Sequence, residues 1–123
     1  MQIERAKNIA LSVQNPGTFA HFDDLMITGT ERSECVEFSC NTGVADGANV
    51  LLQAVLEMER FHIDANGQYG VRVVNESVLS MVDGTVSNHP VGAQIIVEDY
   101  DARQLMRGVR YVDNDENFSV LAQ

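Results

Sequence analysis

The chain has 123 residues, 45% hydrophobic and 21% charged, which suffices for one domain with its own core and excludes wholesale disorder. Eighteen Asp and Glu oppose eight Lys and Arg, a formal charge of -10, and a field of that sign repels a phosphate backbone, so direct nucleic-acid binding is disfavoured. It favours approach to basic protein surfaces instead, above all those that hold DNA or RNA.

The opening "MQIERAKNIALSVQNPG" carries Arg5 and Lys7 but lacks the apolar core of a signal peptide. No apolar run anywhere approaches the ~18 residues of a membrane span. The expectation is a soluble, cytoplasmic protein without a membrane partner.

Taken in chain order, residues 2–14 place Ile3, Ala6, Ile9, Ala10 and Val13 at helical spacing, and Asn15-Pro16-Gly17 would stop that first helix. Two short strand-like runs follow, 24–29 and 34–40, separated by turn-forming residues 28–33, which predicts an antiparallel hairpin. The second run holds the only cysteines, Cys35 and Cys40. Five apart in an extended segment they point to opposite faces, so they read as reduced strand residues rather than a disulfide or a metal site.

At 46–60, "DGANVLLQAVLEMER", the stripe Ala48, Leu51, Leu52, Val55 and Met58 faces away from Asn49, Gln53, Glu57 and Arg60, the pattern of a long amphipathic helix capped by Asp46. Beyond it, Val71–Val74, Val78–Val82 and Gln94–Asp99 read as the strands of an antiparallel meander, with Asn75-Glu76-Ser77 as a tight turn. The tail predicts a helical turn broken at Gly108, an acidic loop, and a short last strand in "SVLAQ". No internal repeat is evident. The resulting expectation is a single α+β domain over 1–123: an antiparallel β-sheet of about five strands, with one long amphipathic helix and an N-terminal helix packed on one face.

Chemistry-bearing patterns are sparse. "DANGQYG" starts like a calcium loop, but its fifth, sixth and twelfth positions hold Gln68, Tyr69 and Asn75, so a turn is expected there. Gly43 and Gly47 match no phosphate-binding pattern. His21, His62 and His89 are far apart and no nucleophile motif accompanies them. Asp23-Asp24 reads as a turn or a cap. In "AQIIVEDYDARQ", alternation along a strand puts Glu98 and Tyr100 on one face and Asp99 and Asp101 on the other, so its carboxylates cannot all converge on one ion. No catalytic residue, metal or cofactor is expected.

The pieces "VRVV", "NES", "VLSMV", "SNHP", "QIIVE" and "DYD", from Val71 to Asp101, resemble a pattern in small acidic proteins of phages and plasmids that end in a β-meander with an Asp-Tyr-Asp close. The resemblance covers about a quarter of the chain and carries over no functional residue. It implies an accessory or anti-defence role of the anti-CRISPR or anti-restriction type, in the host cytoplasm.

Together these readings lead to a non-enzymatic inhibitor or modulator that mimics nucleic acid on the basic surface of a nucleic-acid-binding complex. Glu98, Asp99, Asp101, Asp113, Asp115 and Glu116 are the main candidates for partner contact, and Glu31, Glu34 and Glu37 form a second patch. One alternative is a ligand-binding domain or enzyme with a pocket between helix and sheet, using His62, Tyr69 or a cysteine. Another is a self-assembling interaction protein, such as a homodimer, whose sheet edge pairs with a copy of itself.

Overall fold

The computed structural model describes residues 1–31, 45–97 and 100–121. Ten strands run in order: β1 Gln2–Glu4, β2 Ile9–Gln14, β3 Phe19–Thr28, β4 Asp46–Leu51, β5 Val55–Asp64, β6 Tyr69–Val74, β7 Val78–Ser87, β8 Val91–Ile96, β9 Arg107–Val112 and β10 Glu116–Val120. A single 3-10 turn, Ala102–Leu105, interrupts them, and no α-helix occurs among the described residues. Odd-numbered strands form one five-stranded sheet and even-numbered strands the other, every pairing parallel.

The chain therefore winds as a solenoid. Each coil contributes one strand to either sheet, so the connection between two paired strands is itself a strand of the opposite sheet, long enough to bring the chain round in the same direction. Val55 pairs with Val78 at a separation of 23 residues, Val71 with Ala93 at 22, and Val82 with Arg107 at 25. Phe19 and Val55 lie 36 apart, and the excess of 13 over the 23-residue coil equals the length of segment 32–44, which falls between Glu31 and Ala45.

This architecture overturns the α+β expectation, both helices and the antiparallel meander. The stretch 46–60 consists of β4, a corner and the start of β5. Its inward residues Ala48 and Val50 alternate with period two, the corner at Leu51–Ala54 resets the phase, and Leu56 and Met58 resume it. Two alternations offset by a corner imitate a helical stripe. The same happens at 2–14, where β1 and β2 flank the corner around Ala6. The meander strands lie close to their expected positions, but β6 pairs with β8 and β7 with β5, so strands next to each other in sequence never pair. The expected strand at 34–40 and both cysteines lie outside the described residues.

Each long odd strand bends once. In β5, Leu56 and Met58 point inward and then Phe61 and Ile63 do, a slip of one residue absorbed by Arg60 at φ 49°. Asp24, Asp83 and Gly108, at φ 57°, 55° and 66°, are the same device in the neighbouring coils, where the ladder skips one residue. A second left-handed column, Arg5, Gly29, Ala65, Asn88 and Asp113, turns the chain from the odd sheet toward the even one. With the corner at Asn75-Glu76, both at positive φ, the cross-section becomes three-sided.

Inward residues stack in columns. Ile27, Ile63 and Val86 form one, Val50, Val73 and Ile95 another, all at most 2% exposed. Where the even strands begin, Gly47, Gly70 and Gly92 stack because the coils come too close for a side chain: a Cβ at Gly70 would lie 2.6 Å from the Gly92 carbonyl and 2.7 Å from Val86.

Candidate interaction surfaces

At the corner entering the even sheet a polar ladder runs through the interior along the solenoid axis. The Thr30 N–H donates to Asn66 Oδ1 at 2.9 Å, and Asn66 Nδ2 meets His89 Nε2 at 2.9 Å. His89 Nδ1 in turn lies 3.1 Å from Asn114 Oδ1, and Asn114 Nδ2 donates to the Val86 carbonyl at 3.0 Å. Thr30, Asn66 and His89 are each 2% exposed. Asn66 Oδ1 already accepts from Thr30, so its amide nitrogen faces His89, which fixes Nε2 as acceptor and Nδ1–H as donor. Burial pushes the His89 pKa below its ordinary value, against the opposing pull of Asn114 and Asp64. This histidine links Asn66 to Asn114 within the corner and is shut away from solvent.

A second polar network occupies the side of the even sheet opposite the core. Asn49 Nδ2 donates to Asp46 Oδ2 at 3.0 Å, Arg72 sits 3.8 Å from the same oxygen, and Arg72 Nε donates to Gln94 Oε1 at 2.6 Å. Gln94 Nε2 then reaches the Tyr69 hydroxyl at 3.0 Å, and the Arg72 guanidinium lies 5.4 Å from the Tyr69 ring centre. Asp46 is fully buried, and its pKa is raised by that burial despite Asn49 and Arg72. It caps no helix. Its carboxylate knits β4 to β6.

The outer face of the odd sheet is acidic and open. Asp23 and Glu59 are register partners in adjacent coils, Glu57 stands beside His21 at 3.2 Å, and Asp24 and Asp83 occupy the bend column. Arg60 bonds Asp23 and lies 3.4 Å from Asp24 and 3.9 Å from Glu59, and Arg107, the register partner of Val82, continues the same column in the last coil. In the sequence Asp23-Asp24 reads as a turn or a cap and Glu57 as the polar side of a helix. Only the 36-residue register shows that they share a face.

Of the candidates read from sequence, Glu34, Glu37, Glu98 and Asp99 lie outside the described residues. Glu31 is held by Lys7 at 2.6 Å, and the hydrogen bond and charge of that lysine keep its carboxyl below the usual range. Asp101 caps the 3-10 turn through the Arg103 N–H at 3.0 Å and pairs with the Arg103 side chain, which lowers its pKa likewise. Asp113, Asp115 and Glu116 come together, exposed, on the corner of the last coil. Glu31 belongs to the same corner, but the coils containing Asn66 and His89 separate it from them.

The pocket expected between helix and sheet has no helix to form it. His62 lies on the outer side of β5, and Tyr69 belongs to the even-sheet network. A shallow groove does run along the third corner, lined by Asn15, Pro16, Leu52, Gln53, Asn75 and Glu76. Among the described residues no three His, Cys, Asp or Glu side chains are placed to share a metal ion. Nor, among the described residues, is any helix long and apolar enough to cross a membrane. Compared with known proteins, the chain matches no family model, no curated protein and no solved structure.

Proposed function

We propose that the protein is a non-catalytic binding scaffold that lays the acidic outer face of its odd sheet against a basic protein surface, such as one that otherwise holds nucleic acid. One observation carries this reading: Asp23, Asp24, Glu57, Glu59 and Asp83 lie on one face of three consecutive coils, where Arg60 reaches Asp23, Asp24 and Glu59 and His21 reaches Glu57, so that carboxylates outnumber the cations between them. Like charges on neighbouring strands cost stability, and one guanidinium, Arg60, offsets only part of the repulsion among Asp23, Asp24 and Glu59. A partner rich in Lys and Arg would relieve that repulsion, and binding would be fast and salt-sensitive. The ladder spacing of about 4.8 Å between coils sets the carboxylates in a fixed array that loses little entropy on docking.

The test separates binding from folding. In capture from a cell lysate, basic nucleic-acid-binding proteins should be retained at low salt, released at high salt and displaced by added duplex DNA. Glu57→Gln with Glu59→Gln should weaken retention while leaving thermal stability unchanged or slightly raised, by at most about 0.5 kcal/mol. Retention indifferent to both salt and the double substitution would refute the reading.

A further inference from the structure

We propose that copies of this chain stack head to tail, the last coil of one meeting the first coil of the next. The step goes beyond the acidic-face reading and uses other residues. Its basis is a row of backbone hydrogen bonds at the second left-handed corner. The N–H of Arg5 donates to the Thr28 carbonyl at 3.0 Å, that of Gly29 to Asp64 at 3.2 Å, that of Ala65 to Ser87 at 3.0 Å, and that of Asn88 to Val112 at 3.1 Å. Every donor points to the following coil. Asp113 is the next donor in that row, and among the described residues no coil lies beyond it. At the other end Glu4, which pairs with Thr28, holds the acceptor's position, and among the described residues no coil pairs with its other side. One end of the molecule thus offers the group that the other end lacks.

Side chains along the same columns match. Ile3, Ile27, Ile63, Val86 and Tyr111 form one column, so Tyr111 of one copy would meet Ile3 of the next. Leu11 and Phe118 end a second column, and Val13 and Val120 a third. Apolar residues therefore face apolar residues, and Val120, now 66% exposed, would be covered. At the corner the pairing is between opposite charges: Asp113 falls over Arg5, and Asp115 over Lys7, the bridge partner of Glu31. Unpaired parallel edges are templates for another chain, and a contact between two different surfaces propagates openly instead of closing at a dimer.

Sedimentation equilibrium of the 123-residue chain at physiological ionic strength tests this. Average mass should rise continuously with concentration past that of a dimer. Asp113→Lys and Arg5→Glu should each weaken association roughly fivefold or more, and an equimolar mixture of the two variants should recover it. Val120→Lys, at an exposed position that folding does not need, should leave the circular dichroism spectrum unchanged and abolish the higher masses. A monomer at every concentration, a plateau at the dimer, or association indifferent to these charge changes would overturn the proposal. None of these results bears on Glu57 and Glu59, so the two readings stand or fall separately.

Discussion

His89 shows how a single proton can govern a corner. Its Nε2 accepts from Asn66, and Asn66 cannot turn its amide over without setting its NH2 against the Thr30 N–H. A second proton on the ring would put donor against donor inside the solenoid. Because the folded pKa lies below the ordinary 6.5, the unfolded chain takes up the proton first as the solution is acidified. Stability is then full above 6.5 and declines as pH falls toward the folded value, with a slope of at most about 1.4 kcal/mol per pH unit. Carboxylates held low, such as Glu31 and Asp101, lose their contribution only at more acid pH, as they protonate through folded values below 4.5 and 3.8. The melting temperature should therefore drop between pH 7 and pH 5, and His89→Gln, which can hydrogen-bond but does not titrate, should flatten that drop. An unchanged slope in the variant would assign the effect to another group.

Among the elements, β7 reveals how an edge is closed. Its second half, Val82–Ser87, pairs with β9, but among the described residues no strand lies beside its first half on that side. Tyr100 takes the place of one: its hydroxyl accepts from the Leu79 N–H at 3.0 Å and donates to the Leu79 carbonyl. Burial pushes the phenol pKa up to about 12, so the hydroxyl stays protonated as this double role demands. Tyr100→Phe should leave both Leu79 groups unmet and cost about 1–3 kcal/mol in denaturant unfolding, with faster amide exchange at Leu79. In the sequence this tyrosine lies among the carboxylates of "EDYD", whereas its structural work is done by its own hydroxyl. Strand positions between Val71 and Ile96 were approximately legible because alternation and turn residues are local signals, whereas β9 was not: its residues read as a helical turn broken at Gly108. Pairing partners were not, since a parallel partner lies 22–25 residues away. A signal did exist: "DGAN", "YGVR" and "VGAQ" repeat glycine, a small apolar residue and a polar one, with Gly47, Gly70 and Gly92 at spacings of 23 and 22. Three short imperfect matches, the first two corners disguised as helical stripes, were too little to suggest a coil.

At the scale of the molecule, stability in a solenoid resides in the contacts of each coil with its two neighbours. Residues of β5, β6 and β7 have a coil on both sides, at least over part of their length, whereas β1, β2, β9 and β10 have one. Leu56, Met58, Ile63, Val71, Val73, Leu79 and Met81, all at most 1% exposed, belong to the former group. The opening free energy of an amide should accordingly be greatest in the central coils and fall toward both ends, where unzipping one strand exposes little apolar surface. Native-state hydrogen exchange at low protein concentration should show this gradient. End-to-end stacking adds a neighbour only to the outermost strands, so raising the concentration should slow exchange in β1, β2, β9 and β10 while β5 and β6 stay unchanged. Docking of a partner on the acidic outer face would have the opposite signature, slowing exchange in β3, β5 and β7. Because both modes act on one rigid ladder, the strands that gain protection identify which surface is in use.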